Sequence, residues 1–494
     1  MKREGPMTTN RREFLRMGAA AVAMPLFGIG CAGFGCSRTA QLAAGAPIRV
    51  GLVAAGGFMK TLMCRLGREN NVEFVAMCDP DRRTHAELRR RLGEFYGNRF
   101  DFSRTRDFAD YREMFEACGD ELDAVFIAAP NHHHALAAIL AIRRGIHVYI
   151  EKPLAHTFEE VLQIEREAKR FGVVVQVGNY GHCTDAMHEL KKAVAEGAIG
   201  EVTDAWSFSD RMNSIFIRPQ KCQPPSFLDF DLWCGPSPIC DYYGVHDGQF
   251  PGLHPHDWHN WIDYGNGSIG NMGTHVIDAP YTALGLWKVK PERIDVVDVK
   301  WAAPGAWACR DSIDFRFPAH DGFGPITLHW RDGVKDGIAM DAKYMNTSLN
   351  MLHRREWTNF PEELVELERK YGVRNPIPKT GSVIVGTKGM VYWEFHSLLR
   401  FYPEDGGRKD MNVDKMGWQG ERVVEEFLGA IRGRARNSTG LEFSAPLAKT
   451  LMLGNMASFA GKGAVLGFDG EHVTGSPAAE ARRRVTYRKG WEVS

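Results

Sequence analysis

Gly145-Ile146-His147-Val148-Tyr149-Ile150-Glu151-Lys152-Pro153 sets the architecture of this chain. Ile146 to Ile150 is a short β-branched and aromatic run behind a glycine, the pattern of a buried strand in a parallel sheet. A lysine just past the carboxyl end of such a strand stands where open α/β sheets bind their ligands. Pro153 fixes its own φ and restricts the backbone of Lys152, so the ammonium is held. A held cation there can stabilise a developing alkoxide or share its proton. Alone, the tripeptide is better explained as a surface lysine at a strand-to-helix turn. The strand–helix units around it argue otherwise.

Those units begin at Ile48 to Val53, a strand followed by the turn Ala54-Ala55-Gly56-Gly57 and a helix from Phe58 to Leu66. Val72 to Cys78 is a second strand ending in Asp79, with a helix over Arg82 to Leu92. Ala124 to Ala129 is a fully apolar strand closed by Pro130-Asn131, followed by a helix from His134 to Arg144. An amphipathic helix, Phe158 to Phe171, and a strand, Val173 to Val177, follow the lysine. Strands and helices alternating at this pitch predict a doubly wound parallel sheet. After Gly178-Asn179 the texture changes to a helix, Met187 to Ala198. Strand-like segments follow at Glu201 to Phe208, Ile294 to Trp301, Ser312 to Phe317, Ile326 to Trp330 and Gly389 to Tyr392. They predict an α+β domain on a large, mostly antiparallel sheet. A long Pro-, Gly-, Trp- and His-rich loop from Arg211 to Gly265 interrupts it, and Gly420 to Arg432 and Ala445 to Ala460 are late helices. The expected division is a signal segment over 1–46, a nucleotide-binding domain over 47–178 and a substrate and oligomerisation domain over 179–494.

A chain of 494 residues is long enough for two full-sized cores. Lys+Arg 61 balances Asp+Glu 61, so no basic face is advertised and nucleic acid is not an expected partner. Asn10-Arg11-Arg12-Glu13-Phe14-Leu15-Arg16 is a twin-arginine export pattern, and the small apolar run Gly18 to Gly30 is too short for a membrane span. The expected location is the periplasm. Cys31 and Cys36 keep lipid anchoring open, although the residues ahead of them match a lipobox poorly. Ten cysteines include no Cys-x-x-Cys pair, so a structural zinc site is not indicated. Cys234 and Cys240 are the nearest disulfide candidates, with buried free thiols the preferred alternative.

The turn after the first strand should cradle a dinucleotide pyrophosphate. Gly-x-Gly-x-x-Gly falls here on Ala54, Gly56 and Met59, so only the central glycine is present. Asp79 rescues the reading, because a carboxylate there can accept from the ribose hydroxyls and favours NAD. Arg82 and Arg83 offer a clamp for a 2′-phosphate and leave NADP open. Asp79-Pro80-Asp81 also suits a helix N-cap. Ala54, Gly56, Gly57, Phe58, Asp79, Pro130, Asn131, His134, Glu151 and Lys152 form the expected cofactor set. His132, His133 and His134 are adjacent and would point in different directions on a helix, which argues against a metal there; His134 is expected to pack at the helix start.

Within Gly270-Asn271-Met272-Gly273-Thr274-His275-Val276-Ile277-Asp278, a helix would put Asn271, His275 and Asp278 on one face. His275 can take a hydroxyl proton at neutral pH, with Asn271 and Asp278 orienting it. A core histidine capped by Asp278 is the plain alternative. In the loop, Trp258, Trp261 and Tyr264 can stack on a sugar ring while Asp257 and His259 hydrogen-bond its hydroxyls. Asn179 joins that substrate set. A metal held by His254, His256 and His259 is conceivable but not expected, and core packing is the alternative for the rings.

Together the Glu151-Lys152-Pro153 tripeptide, the first turn, Asp79 and the Asn271–Asp278 segment resemble the Gfo/Idh/MocA oxidoreductases, which include glucose-fructose oxidoreductase and inositol dehydrogenase. The resemblance runs from about Ile48 onward. It takes in Leu228 to Trp233, His254 to Trp258 and Tyr487-Arg488-Lys489-Gly490-Trp491, segments similar to those of exported members. It implies a Rossmann domain followed by an α/β domain with a large open sheet, NAD(P), a sugar or polyol substrate and a homo-oligomer. It makes Lys152 the substrate-hydroxyl contact and His275 the general acid/base. Two departures stand out: the family's carboxylate four residues before the histidine is Asn271 here, and the glycine turn is degraded. Twin-arginine export moves folded proteins, so the expected cofactor travels bound and is recycled in place. Oxidation of one sugar coupled to reduction of another satisfies this. So does a redox-neutral NAD-dependent glycoside hydrolysis; a non-catalytic carbohydrate-binding protein is the third alternative.

Overall fold

The computed structural model describes residues 45–66, 71–211, 213–214, 220–244, 252–336, 354–394, 398–404, 409–412 and 420–492. The twin-arginine pattern, its apolar run, Cys31 and Cys36 lie outside these residues. The apolar runs read from the sequence pair as parallel strands. They are β1 (Ile48–Val53), β2 (Val72–Cys78), β4 (Ala124–Ile127), β5 (His147–Ile150) and β6 (Val175–Val177), joined by a short β3 (Arg106–Phe108). Their order is β3-β2-β1-β4-β5-β6. The order reverses between β1 and β4, where such sheets open a crevice at their carboxyl ends. Val53 pairs with Ile127, and Ile127 with Ile150, so the residues after these three strands meet at one edge.

The helices that cover this sheet are α1 (Gly57–Met63), α2 (Thr84–Tyr96), α3 (Tyr111–Cys118), α4 (Asn131–Ile142) and α5 (Phe158–Phe171). Sequence reasoning began α4 three residues late and missed β3 and α3. Asp110 caps α3 through the amide of Arg112. Thr157 and Glu160 form a reciprocal capping box on α5, and Gly172 closes that helix in the left-handed region.

The second sheet has ten strands among the described residues: β7 (Val202–Ser209), β8 (Arg293–Lys300), β9 (Arg310–Phe317), β10 (Ile326–Gly333), β11 (Gly381–Gly386), β12 (Gly389–Glu394), β13 (Leu398–Pro403), β14 (Lys409–Asn412), β15 (Val465–Phe468) and β16 (Val473–Thr474). Their order is β14-β13-β12-β11-β7-β10-β9-β8-β15-β16, antiparallel except where β7 meets β10. The mostly antiparallel sheet expected from the sequence is present. Helix Leu441–Ser458 is buried nearly all round and joins the two cores: Ala445 and Ala448 pack toward the parallel sheet, Phe443, Leu447 and Leu451 toward the second.

Candidate active site

The first turn survives the loss of its glycine. Ala54 sits at φ +69°, a left-handed conformation that a β-carbon resists. Its amide donates to Cys78 O at 2.8 Å. Asp79 pins the rest: one carboxylate oxygen accepts from the amides of Ala55 (2.8 Å) and Gly56 (3.1 Å), the other from Asp81 (2.8 Å). Burial raises the Asp79 pKa, and the amides of Ala55 and Asp81 pull it back. Of the roughly four acceptor positions of a carboxylate, about one is left for a ligand.

A cavity of about 280 Å³ opens over this turn. The parallel sheet contributes Gly56, Gly57, Phe58, Asp79 and Pro130; Trp233, His254, Trp258 and His259 face them from the long loop. The wall fits a dinucleotide. A β-carbon on Gly57 would meet nothing within 4 Å, so the turn is open. Asn131, expected in the cofactor set, follows Pro130 but does not line the cavity; its buried Oδ1 has no hydrogen-bond partner. The 2′-phosphate clamp is otherwise engaged: Arg83 pairs with Asp81 at 2.7 Å and lies 3.3 Å over the Phe227 ring, and Arg82 bonds Ser226 O. Larger hollows of about 640 and 900 Å³, beside Trp301 and on the outer face of the second sheet, hold none of these residues.

The three adjacent histidines anchor the loop that roofs this cavity. His132 and His133 place Nε2 at 3.0 and 2.8 Å from Trp233 O, and His132 Nδ1 is 3.2 Å from Tyr264 O. His134, expected in the cofactor set, places its nitrogens 2.8 Å from Pro153 O and Ala129 O. It holds the peptide beyond Lys152 in place. Burial lowers His133 and His134 to about 4 and His132 well below its usual value, so the rings are neutral at pH 7. Gly235 touches the same group at φ +53°. A β-carbon there would come within 2.1 Å of His133 Cε1.

At the end of β5 the Lys152 Nζ donates to Asn271 Oδ1 at 2.5 Å and to Asn271 O at 3.3 Å. Asn271 Nδ2 donates in turn to Asn213 Oδ1 at 3.2 Å. Burial pulls Lys152 down to about 8, Glu151 opposing and Arg211 adding to the fall. Burial carries Glu151 up to about 7 against the attraction of Lys152 and Arg65. The segment expected as a uniform α-helix begins with a π-helical turn, Ile269–Gly273, followed by α-helical turns. Such turns insert one residue and recur at functional sites. Asn271 is thereby engaged with Lys152 and Asn213. His275 is buried, its ring centre 5.2 Å from that of Tyr180. Asp278 accepts from Asn179 Nδ2 (2.9 Å) and Thr282 Oγ1 (2.9 Å) and meets His182 Nδ1 at 2.8 Å.

The substrate set divides. Trp258 and His259 line the cavity and stack with ring centres 3.6 Å apart; His259 Nδ1 is buried without a hydrogen-bond partner. Asp257 is buried against His256 at 3.4 Å. Trp261 donates to Tyr243 Oη at 2.8 Å, and Tyr264, fully buried, donates to Pro238 O at 2.5 Å. Both rings pack inside the loop, because their polar tips find partners there. Asn179 is buried between Asp278 and Thr274. Among the described residues no group of His, Cys, Asp or Glu is placed to hold a metal, and Cys234 and Cys240 are free thiols. His182, Arg65 and Arg211 were missed. No local pattern marks them: His182 meets Asp278, Arg65 lies 5.2 Å over the Tyr180 ring, and Arg211 acts on Lys152 through charge.

Residues 48–179 match the family described as an oxidoreductase family with an NAD-binding Rossmann fold, Gfo/Idh/MocA. Over those residues the chain is similar to the Gfo/Idh/MocA oxidoreductases. The chain is 28% identical over 239 residues to levoglucosan dehydrogenase of Pseudarthrobacter phenanthrenivorans, covering 47% of this chain and 50% of that one. It is 29% identical over 157 residues to D-glucoside 3-dehydrogenase of Escherichia coli, covering 32% and 41%. The chain thus spans about half the length, or less, of these relatives. The fold is similar to that of aldose-aldose oxidoreductase from Caulobacter crescentus, with TM-score 0.55, 14% identity and coverage of 86% of this chain and 100% of that one. No described helix is long and apolar enough to cross a membrane.

Proposed function

We propose that this protein is an exported NAD(P)-dependent oxidoreductase that moves hydride to or from a secondary hydroxyl of a sugar or cyclitol. The observation that carries this is the 2.5 Å contact between Lys152, on the parallel sheet, and Asn271, on the π-turn of the second domain, beside a crevice fit for a dinucleotide. A bound nicotinamide supplies the hydride acceptor or donor. Lys152 presents its ammonium to the substrate oxygen and offsets the charge that grows there. His275 takes or returns the proton at that oxygen. Trp258 and His259 hold the substrate against the crevice, which supplies proximity. The sugar dehydrogenases among the relatives support a carbohydrate substrate. The Arg11-Arg12 pattern supports export, and a cofactor carried outward with the folded protein must be retained and recycled.

The test is the absorbance of protein purified without added nucleotide. A near-ultraviolet band of reduced nicotinamide that forms or bleaches as sugars are added is the expected result. Release of an aglycone with no net change in that band would replace this reading with a redox-neutral glycoside hydrolysis. Sugar binding with no nucleotide present would replace it with a binding protein.

A further inference from the structure

The segment Tyr487–Trp491 crosses the carboxyl edge of the parallel sheet and touches the first turns of three of its helices. Tyr487 Oη donates to Glu160 Oε1 at 2.6 Å on α5. On α3, Arg112 grips Asp110 with its fork (2.6 Å), donates to Gly490 O at 2.7 Å and lies 3.7 Å over the Trp491 ring. The Trp491 ring meets Tyr111 and, at the start of α4, His133, each with centres 6.0 Å apart. The second domain holds the same segment: Arg488 donates to Asp231 Oδ1 at 2.6 Å and to Gly235 O at 3.0 Å. Trp491 is 5% exposed and forms part of the cavity wall over the first turn.

We propose that this strap is part of the nucleotide site: Trp491 walls the crevice, and undocking of the strap limits how fast a bound dinucleotide leaves. The proposal rests on the reading that the crevice holds a dinucleotide. Two observations point to the strap as the wall that yields. The cavity, about 280 Å³, lies just below the range of roughly 300–1,000 Å³ usual for ligand sites, so its walls are drawn in. The loop wall is fastened by main-chain bonds, Arg82 N to Phe227 O (3.1 Å) and Asp229 N to Pro80 O (3.0 Å), and by the buried histidines on Trp233 O. Toward the parallel sheet the strap is held by side-chain bonds, Tyr487 on Glu160 and Arg112 on Gly490 O; toward the loop it has Arg488 N on Pro236 O (2.8 Å) and one ion pair open to water, Arg488 with Asp231, the latter 64% exposed. Pairs of that kind are weak and screened by salt. The strap therefore opens before the loop does.

The experiment loads the full-length protein with reduced nicotinamide dinucleotide and follows its release into excess unlabelled nucleotide by fluorescence, in the parent, Trp491→Ala, Trp491→Phe and Arg488→Ala. Trp491→Ala should release about tenfold faster, Arg488→Ala a few-fold faster, and Trp491→Phe close to the parent rate. Raising the salt concentration should speed release from the parent. Arg488→Ala changes a half-open contact and keeps the proposal testable if Trp491→Ala folds poorly. Release rates unchanged in both alanine variants, with nucleotide still bound, overturn the strap alone. A parent protein that takes up no nicotinamide nucleotide overturns the reading of the crevice and the strap with it.

Discussion

The turn after β1 and the π-turn at Ile269–Gly273 each lack a group that the family resemblance leads one to expect, and the chain makes good the two losses differently. At the first turn the missing glycine is a matter of shape. Ala54 takes the left-handed conformation, and Asp79 fastens the neighbouring amides. At the second the missing carboxylate is a matter of charge. Asn271 keeps the hydrogen bond to Lys152 but brings no anion to it. A backbone loss can be absorbed as strain with the geometry kept. A charge loss leaves the geometry and changes when the lysine carries its proton.

Three substitutions probe this contrast. Lys152→Met, which keeps much of the stem and removes the charge, should slow sugar-dependent change of the bound nicotinamide band by about a thousandfold while nucleotide release stays as in the parent. Equal rates in single-turnover measurements would show that the cation is not where charge develops. Next in size is Asn271→Asp. In the parent, burial holds Lys152 near 8, so the rate in the reducing direction should fall as pH rises through that value, where the ammonium becomes neutral. A carboxylate at 271 favours the charged form and should move this alkaline limb upward by about one unit or more. A pH–rate profile with the same limb in both proteins would break the contrast. The smallest effect belongs to Ala54→Gly. It relieves a left-handed alanine that costs about 1–2 kcal/mol, against roughly 0.5–1 kcal/mol of added chain entropy. Urea unfolding should therefore show a gain of between about 0 and 1.5 kcal/mol.

The parallel sheet was legible because its strands are continuous apolar runs ending in turn residues, and the run before Lys152 sets their direction. Lys152 and Asn271, which the structure brings into contact, each stand in a local pattern, as does the candidate His275. The exact form of the second segment was not. A π-turn differs from an α-turn by one residue, and Gly270 and Gly273 are its only trace in the sequence. The loop was legible as composition alone. Trp258, Trp261 and Tyr264 look alike in sequence, yet Trp258 faces the crevice while the half-buried Trp261 and the buried Tyr264 are held by partners from other parts of the loop. His182 bonds a carboxylate 96 residues away, a pairing that no periodicity records.

The histidines under the roof have a consequence for the medium in which the protein works. In an unfolded chain each would gain a proton below about pH 6.5, whereas in the folded molecule His133 and His134 resist it until about 4. Through that interval the unfolded chain binds more protons, so acidification progressively favours it and erodes the attachment of the loop to the parallel sheet. Mildly acid surroundings therefore weaken this hold.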